Sequence, residues 1–130
     1  MKRIIIDLDN TLAGPKTDSY ADCDPIPEVI EKLRNYKEMG FEITVHTSRN
    51  MRSFDNNVGK ITAVTVPVIA QWLETHDVPY DEIWVGKPWC GTEGFYVDDR
   101  SVRPDEFVNL SPDEISQLIE RVKPGSNMKP

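Results

Sequence analysis

Three consecutive isoleucines, Ile4 to Ile6, run directly into Asp7-Leu8-Asp9-Asn10-Thr11-Leu12. A short run of β-branched residues bounded by polar ones reads as a buried strand. Residues two apart in extended chain share a face, so Asp7 and Asp9 leave that strand side by side. Carboxylates at the mouth of a core are costly unless cations or hydrogen bonds compensate them. Open α/β sheets bind ligands beyond the carboxyl ends of their strands, which is where these two acids would stand. Taken alone, Asp-x-Asp is explained equally well by a turn with an aspartate helix cap. The rest of the chain has to decide.

The patterning downstream alternates helix and strand. Gly14 to Asp24 is polar and reads as a loop. Pro25-Ile26-Pro27 opens a helix whose apolar positions Val29, Ile30, Leu33, Tyr36 and Met39 fall at helical spacing, with Gly40 ending it. Residues 41–47 (Phe41-Glu42-Ile43-Thr44-Val45-His46-Thr47) form a second strand, and 48–60 a polar, turn-rich loop. A helix is expected from about Thr65, with Pro67 in its first turn and Val68, Ile69, Trp72 and Leu73 inward. Ile61–Val64 fits no element clearly. Glu82–Val85 reads as a third strand and Gly94–Val97 as a fourth. Ser111-Pro112-Asp113-Glu114 is a capping box for a last helix with Ile115, Leu118, Ile119 and Val122 on one face. This alternation implies an α/β fold with a doubly wound, mainly parallel sheet. With 130 residues, one domain over 1–123 and a frayed tail at 124–130 are expected.

Charge and composition remove several function classes. A formal net charge of −7 disfavours a sequence-independent grip on nucleic acid, which needs a basic stripe. It leaves room for a small anionic substrate, because a local cation and a metal outweigh a distant negative field. Met1-Lys2-Arg3 precedes too few apolar residues for a leader, and no run approaches membrane-spanning length. Cys23 and Cys90 fit no zinc-binding spacing, so a reduced, cytoplasmic setting without membrane partners is expected.

Four polar clusters follow the four expected strands: Asp7/Asp9, Thr47-Ser48-Arg49, Lys87, and Asp98/Asp99. In a parallel sheet these ends share one edge, so the clusters would meet in one crevice. That inventory suits phosphoryl transfer through a carboxylate nucleophile. An ionised aspartate attacks phosphorus, and a divalent cation offsets the repulsion between carboxylate and phosphate. Ligation by oxygen atoms suits Mg²⁺. A second acid protonates the leaving alkoxide, while hydroxyl, N–H and lysine groups hold the transferring oxygens.

In order and context, these clusters resemble the four signatures of the haloacid-dehalogenase superfamily of phosphatases, over roughly residues 2–110. The resemblance implies Asp7 as nucleophile and metal ligand. It implies Asp9 as general acid/base, its carbonyl also facing the metal. Thr47 would bond the phosphoryl group, Lys87 would neutralise it, and Asp98 and Asp99 would complete the Mg²⁺ site. Leu8, Ser48 and Arg49 are expected at the substrate. Arg49-Asn50-Met51, Asn57-x-Gly59-Lys60-Ile61, Trp72-Leu73, Gly86-Lys87-Pro88 and Asp98-Asp99-Arg100 look like the small phosphatases of bacterial capsule and surface-polysaccharide biosynthesis. That finer likeness implies a phosphorylated sugar or polyol as substrate.

Neither 10–41 nor 50–86 has room for the cap domain that many members of the superfamily carry. The site would then lie open to a large substrate or be closed by a neighbouring subunit in a homo-oligomer, with loops 13–24 and 50–60 as partial lids. Two rivals remain. One is a phosphatase acting on nucleotides or nucleic-acid ends. The other is a phosphoacceptor receiver domain, whose aspartate should end a middle strand. His46 alternates with Thr47 and reads as a core or second-layer residue. His76 reads as a helix C-terminal cation, and Trp84 and Trp89 read as crevice wall or core.

Overall fold

In the computed structural model, residues 1–124 are described; of the expected tail, all but Pro124 lies outside them. The chain divides into two compact units, Met1–Trp89 and Cys90–Pro130.

The first unit is an α/β layer. Strands β1 (Arg3–Ile6), β2 (Glu42–His46) and β3 (Glu82–Trp84) form a parallel sheet in the order β1-β2-β3. Ile4 stands opposite Ile43, and Val45 opposite Ile83. Helices α1 (Pro27–Glu38) and α2 (Val58–Thr75) make the two crossovers that a parallel sheet requires. The central strand is the driest, with Ile43 and Val45 wholly buried. β1 departs from expectation. It lies at the sheet edge, so only Ile6 is buried and Ile5 is 58% exposed.

α1 follows the sequence signals closely. Pro27 sits at the first helical position, and Val29, Ile30, Leu33 and Tyr36 are buried as the periodicity requires. Met39 is the C-cap and is exposed rather than packed. Gly40, at φ 91°, takes the left-handed turn that lets Phe41 N–H reach the Tyr36 carbonyl (3.2 Å) and its own N–H reach that of Lys37 (3.0 Å). The Tyr36 and Phe41 rings then meet edge to face at 5.0 Å, closing the helix end with an apolar contact.

α2 begins seven residues before the expected Thr65 and takes in Ile61–Val64. Its β-branched run is a poor helix signal. Packing of Ile61, Thr65, Ile69, Trp72 and Leu73 against the core overrides that weakness. The Asn57 side chain caps the start by accepting from Lys60 N–H at 3.0 Å. Pro67 therefore lies inside the helix, and Val68, expected inward, is on its exposed side. Trp84 and Trp89 are exposed as well.

In the second unit, residues 94–97 form no strand. A strand needs a partner, the elements of 90–124 are helices, and Phe95, Tyr96 and Val97 are exposed. The expectation of a fourth strand is thus corrected for the described residues. Helix α3 (Pro104–Asn109), which the periodicity did not reveal, buries Phe107. Glu106 reaches back to the Arg103 N–H at 2.8 Å, fixing its start. Helix α4 (Pro112–Glu120) carries the expected capping box: Ser111 Oγ accepts from Glu114 N–H, and Glu114 accepts from Ser111 N–H. Its apolar face, Ile115, Leu118 and Ile119, is only half-buried.

Candidate functional site

The chain leaves β1 into a knot of hydrogen bonds. The Leu8 carbonyl accepts the N–H groups of Leu12 and Ala13, both at 2.9 Å, and of Thr11 at 3.3 Å. Asn10, at φ 63°, makes the bend and donates to the Ala13 carbonyl; asparagine tolerates that conformation better than most residues. Leu8 turns its side chain into the core, so only its main chain can meet a ligand. Asp7 and Asp9 are left half-buried at the carboxyl edge of the sheet.

The two acids have different partners. Asp7 accepts from the Thr11 hydroxyl at 3.2 Å and faces Lys87 Nζ at 3.6 Å, longer than a hydrogen bond. Asp9 is held by the Arg49 fork, Nε to Oδ2 at 3.1 Å and Nη2 to Oδ1 at 2.7 Å. The Arg49 side chain is 1% exposed, and its Nη1 has no hydrogen-bond partner among the described residues.

Thr47 joins the elements. Its N–H donates to the Trp84 carbonyl at 3.0 Å, continuing the β2–β3 pairing, and its carbonyl accepts from Lys87 N–H at 3.2 Å. Its buried hydroxyl accepts from Arg49 N–H at 3.0 Å, which leaves the hydroxyl proton available to a ligand. Gly86, at φ 89°, turns the chain between β3 and Lys87. A Cβ there would crowd Val58 at 3.3 Å, so glycine answers both demands. Ser48 is half-buried, and its carbonyl starts the turn that follows by accepting from Met51 N–H.

Asp7, Asp9, Thr47, Arg49 and Lys87 are therefore brought together at one sheet edge. Asp98 and Asp99 belong to the second unit, where both are exposed and Asp98 accepts from Arg100 N–H at 2.7 Å. Among the described residues, no three His, Cys, Asp or Glu side chains form a group able to hold a metal ion. His46 is half-buried. Burial holds its imidazole below the ordinary value, helped by Lys87 and opposed by Asp7, so it sits within electrostatic reach of the site.

One participant escaped the sequence. The Tyr20 ring, on a 3₁₀ turn at Tyr20–Asp22, covers the Arg49 guanidinium with 4.0 Å from Cζ to the ring centre. Burial, and then the Asp9 charge, push the Tyr20 hydroxyl above its ordinary value. The only available signal was a lone aromatic in an otherwise polar loop. That loop is tied down rather than loose: Trp72 Nε1 donates to the Cys23 carbonyl at 2.8 Å, and Gly14 N–H to the Asp24 carbonyl at 2.7 Å.

No protein-family model matches the chain, and no curated protein does. Among solved structures it is similar to the crystal structure of an MCSG structural-genomics target from Vibrio cholerae, with 54% sequence identity and a TM-score of 0.92. The likeness covers 95% of this chain and all of that one. This chain belongs to the same family as that Vibrio cholerae protein. The family thus has an α/β fold with a parallel sheet. No helix of the described residues is long and apolar enough to cross a membrane.

Proposed function

We propose that this protein is a Mg²⁺-dependent phosphomonoesterase with a capless, haloacid-dehalogenase-type core and a covalent aspartyl-phosphate intermediate. Its proposed substrate is a phosphorylated sugar or polyol feeding surface-polysaccharide synthesis. The observation that carries the reading is the unequal treatment of two aspartates two residues apart, with Thr47 and Lys87 beside them. Asp7, loosely paired, is free to attack; Asp9, gripped by a buried arginine, is held in a fixed place.

The steps assigned to these residues are as follows. An Asp7 carboxylate oxygen attacks phosphorus, and the bond from phosphorus to the leaving oxygen breaks. The leaving oxygen takes its proton through Asp9, the residue that the resemblance assigns as general acid/base. Each Asp9 oxygen keeps a lone pair beyond the one used by Arg49, so proton transfer does not require the fork to open. Asp9, now ionised, takes a proton from water, whose oxygen displaces Asp7 from phosphorus and releases inorganic phosphate. The Thr47 hydroxyl and Lys87 ammonium hold the phosphoryl oxygens throughout.

Asp7, a partly exposed carboxylate at the sheet edge, is a donor of the type a hard cation takes. Asp7 and the Asp9 carbonyl would hold Mg²⁺, with Asp98 and Asp99 as the further ligands that the resemblance assigns. When bound, the ion supplies positive charge against the repulsion between carboxylate and phosphate. The connections from β1 to α1 and from β2 to β3 contain loops, a 3₁₀ turn and α2, which fits a substrate too large for a capped site.

A phosphate-release screen over sugar phosphates, nucleotides and 3′-phosphorylated oligonucleotides tests the reading. Release from a sugar or polyol phosphate, silenced by EDTA and restored by Mg²⁺, is the expected result. Metal-independent release, or release from oligonucleotides alone, would overturn the assignment.

A further inference from the structure

We infer that Tyr20 is a positioning residue, whose ring face holds Arg49 in the place from which its fork fixes Asp9. The inference rests on the phosphatase reading for its kinetic consequence, though not for the geometry. Arg49 spends Nε and Nη2 on Asp9 and its backbone N–H on Thr47, yet Nη1 is buried without a hydrogen-bond partner among the described residues. A buried guanidinium nitrogen with no acceptor needs another source of negative potential. The ring of Tyr20, 4.0 Å from Cζ, supplies it through its π face.

The ring itself is held. Its 3₁₀ turn packs on α2, Trp72 anchors the Cys23 carbonyl just beyond it, and Ser19 Oγ donates to Asp22 across the turn at 2.9 Å. Lys16 Nζ, 4.6 Å from the ring centre, draws on the same π system and makes the ring a meeting point for two cations. A chain of contacts thus runs from α2 through the turn to Tyr20, Arg49 and Asp9. The phenol hydroxyl has no part in it; an aromatic face does.

The test uses the full-length chain with Tyr20→Phe, Tyr20→Leu, Arg49→Lys and the Tyr20→Leu/Arg49→Lys double variant. Two quantities are read: hydrogen exchange of the Arg49 Nε–H by NMR, and kcat and KM on the substrate found in the phosphate-release screen. In Tyr20→Leu, Arg49 Nε–H exchange accelerates and kcat falls by about tenfold to a hundredfold, with KM little changed. Tyr20→Phe restores both. Arg49→Lys loses kcat by itself, and adding Tyr20→Leu costs little more, because both changes cut one chain of contacts.

Unchanged Arg49 exchange in Tyr20→Leu would overturn the inference. So would faster exchange with undiminished kcat, a loss in Tyr20→Phe equal to that in Tyr20→Leu, or full additivity in the double variant. If Tyr20→Leu does not fold, Tyr20→Met replaces it and is judged by the same outcomes. If the wild-type chain releases no phosphate, the phosphatase reading fails, and the exchange measurement alone still decides the link between Tyr20 and Arg49.

Discussion

The two ends of one sheet carry similar charges but use them differently. At the amino end, Asp81 accepts from Ile43 N–H at 2.8 Å and from Lys37 Nζ at 2.8 Å, while Thr44 Oγ1 donates to Glu82 at 2.8 Å. Those contacts are short and complete. At the carboxyl end, the buried Arg49 Nη1 goes without a hydrogen-bond partner among the described residues. The Asp81 and Thr44 groups are satisfied within the fold by short bonds, whereas one guanidinium nitrogen of Arg49 is not satisfied by any hydrogen bond among the described residues. The difference agrees with the proposal of a site at the carboxyl end without appeal to any motif.

Four substitutions break or sharpen that contrast. Asp7→Asn has the largest expected effect. Phosphate release should fall by at least about a thousandfold, as for loss of a nucleophile, while the melting curve stays near wild type. A well-folded Asp7→Asn chain with full turnover would remove the site from the carboxyl end. Arg49→Ala comes next, because it removes one partner of a largely buried ion pair. Chemical denaturation should show a loss of about 3–5 kcal/mol, so here site and scaffold coincide in one residue.

Asp81→Ala should cost about 1–2 kcal/mol and leave kcat and KM untouched. Its pH dependence has a definite sign. The Lys37 contact, with the Ile43 N–H, holds the folded-state carboxyl below the ordinary 3.8. Its stabilisation is therefore present at neutral pH and is lost as pH falls from near that value through the lower, folded-state one. Denaturation midpoints in acid should drop less steeply in the variant than in wild type; an identical slope would show that Asp81 contributes nothing. The smallest change is Gly40→Ala. At φ 91° with open space around it, alanine meets no clash and suffers only backbone strain of about 1 kcal/mol.

Much of this was legible in the sequence because the signals were local. Pro27, the apolar face of α1 and Gly40 mark a helix from start to stop, and Ser111 with Glu114 marks another. The grouping of Asp7, Asp9, Thr47, Arg49 and Lys87 followed from strand ends sharing an edge. What escaped depends on contacts distant in sequence. The β-branched residues of α2 argue against helix until their burial is known, and Ile5 looks like core until β1 proves to be an edge. Residues 94–97 have strand composition but no partner strand among the described residues of their unit. Tyr20 reaches Arg49 across 29 positions, a distance no periodicity records.

The cysteines, unremarkable as a pair, have a practical use. Cys23 is 2% exposed and burial pushes its thiol up, whereas Cys90 is partly accessible and belongs to the other unit. Thiolate is the reactive form, so a maleimide dye will attach at Cys90 and spare Cys23. The wild-type polypeptide therefore arrives ready for single-site fluorescent labelling of its C-terminal half, with no engineering needed.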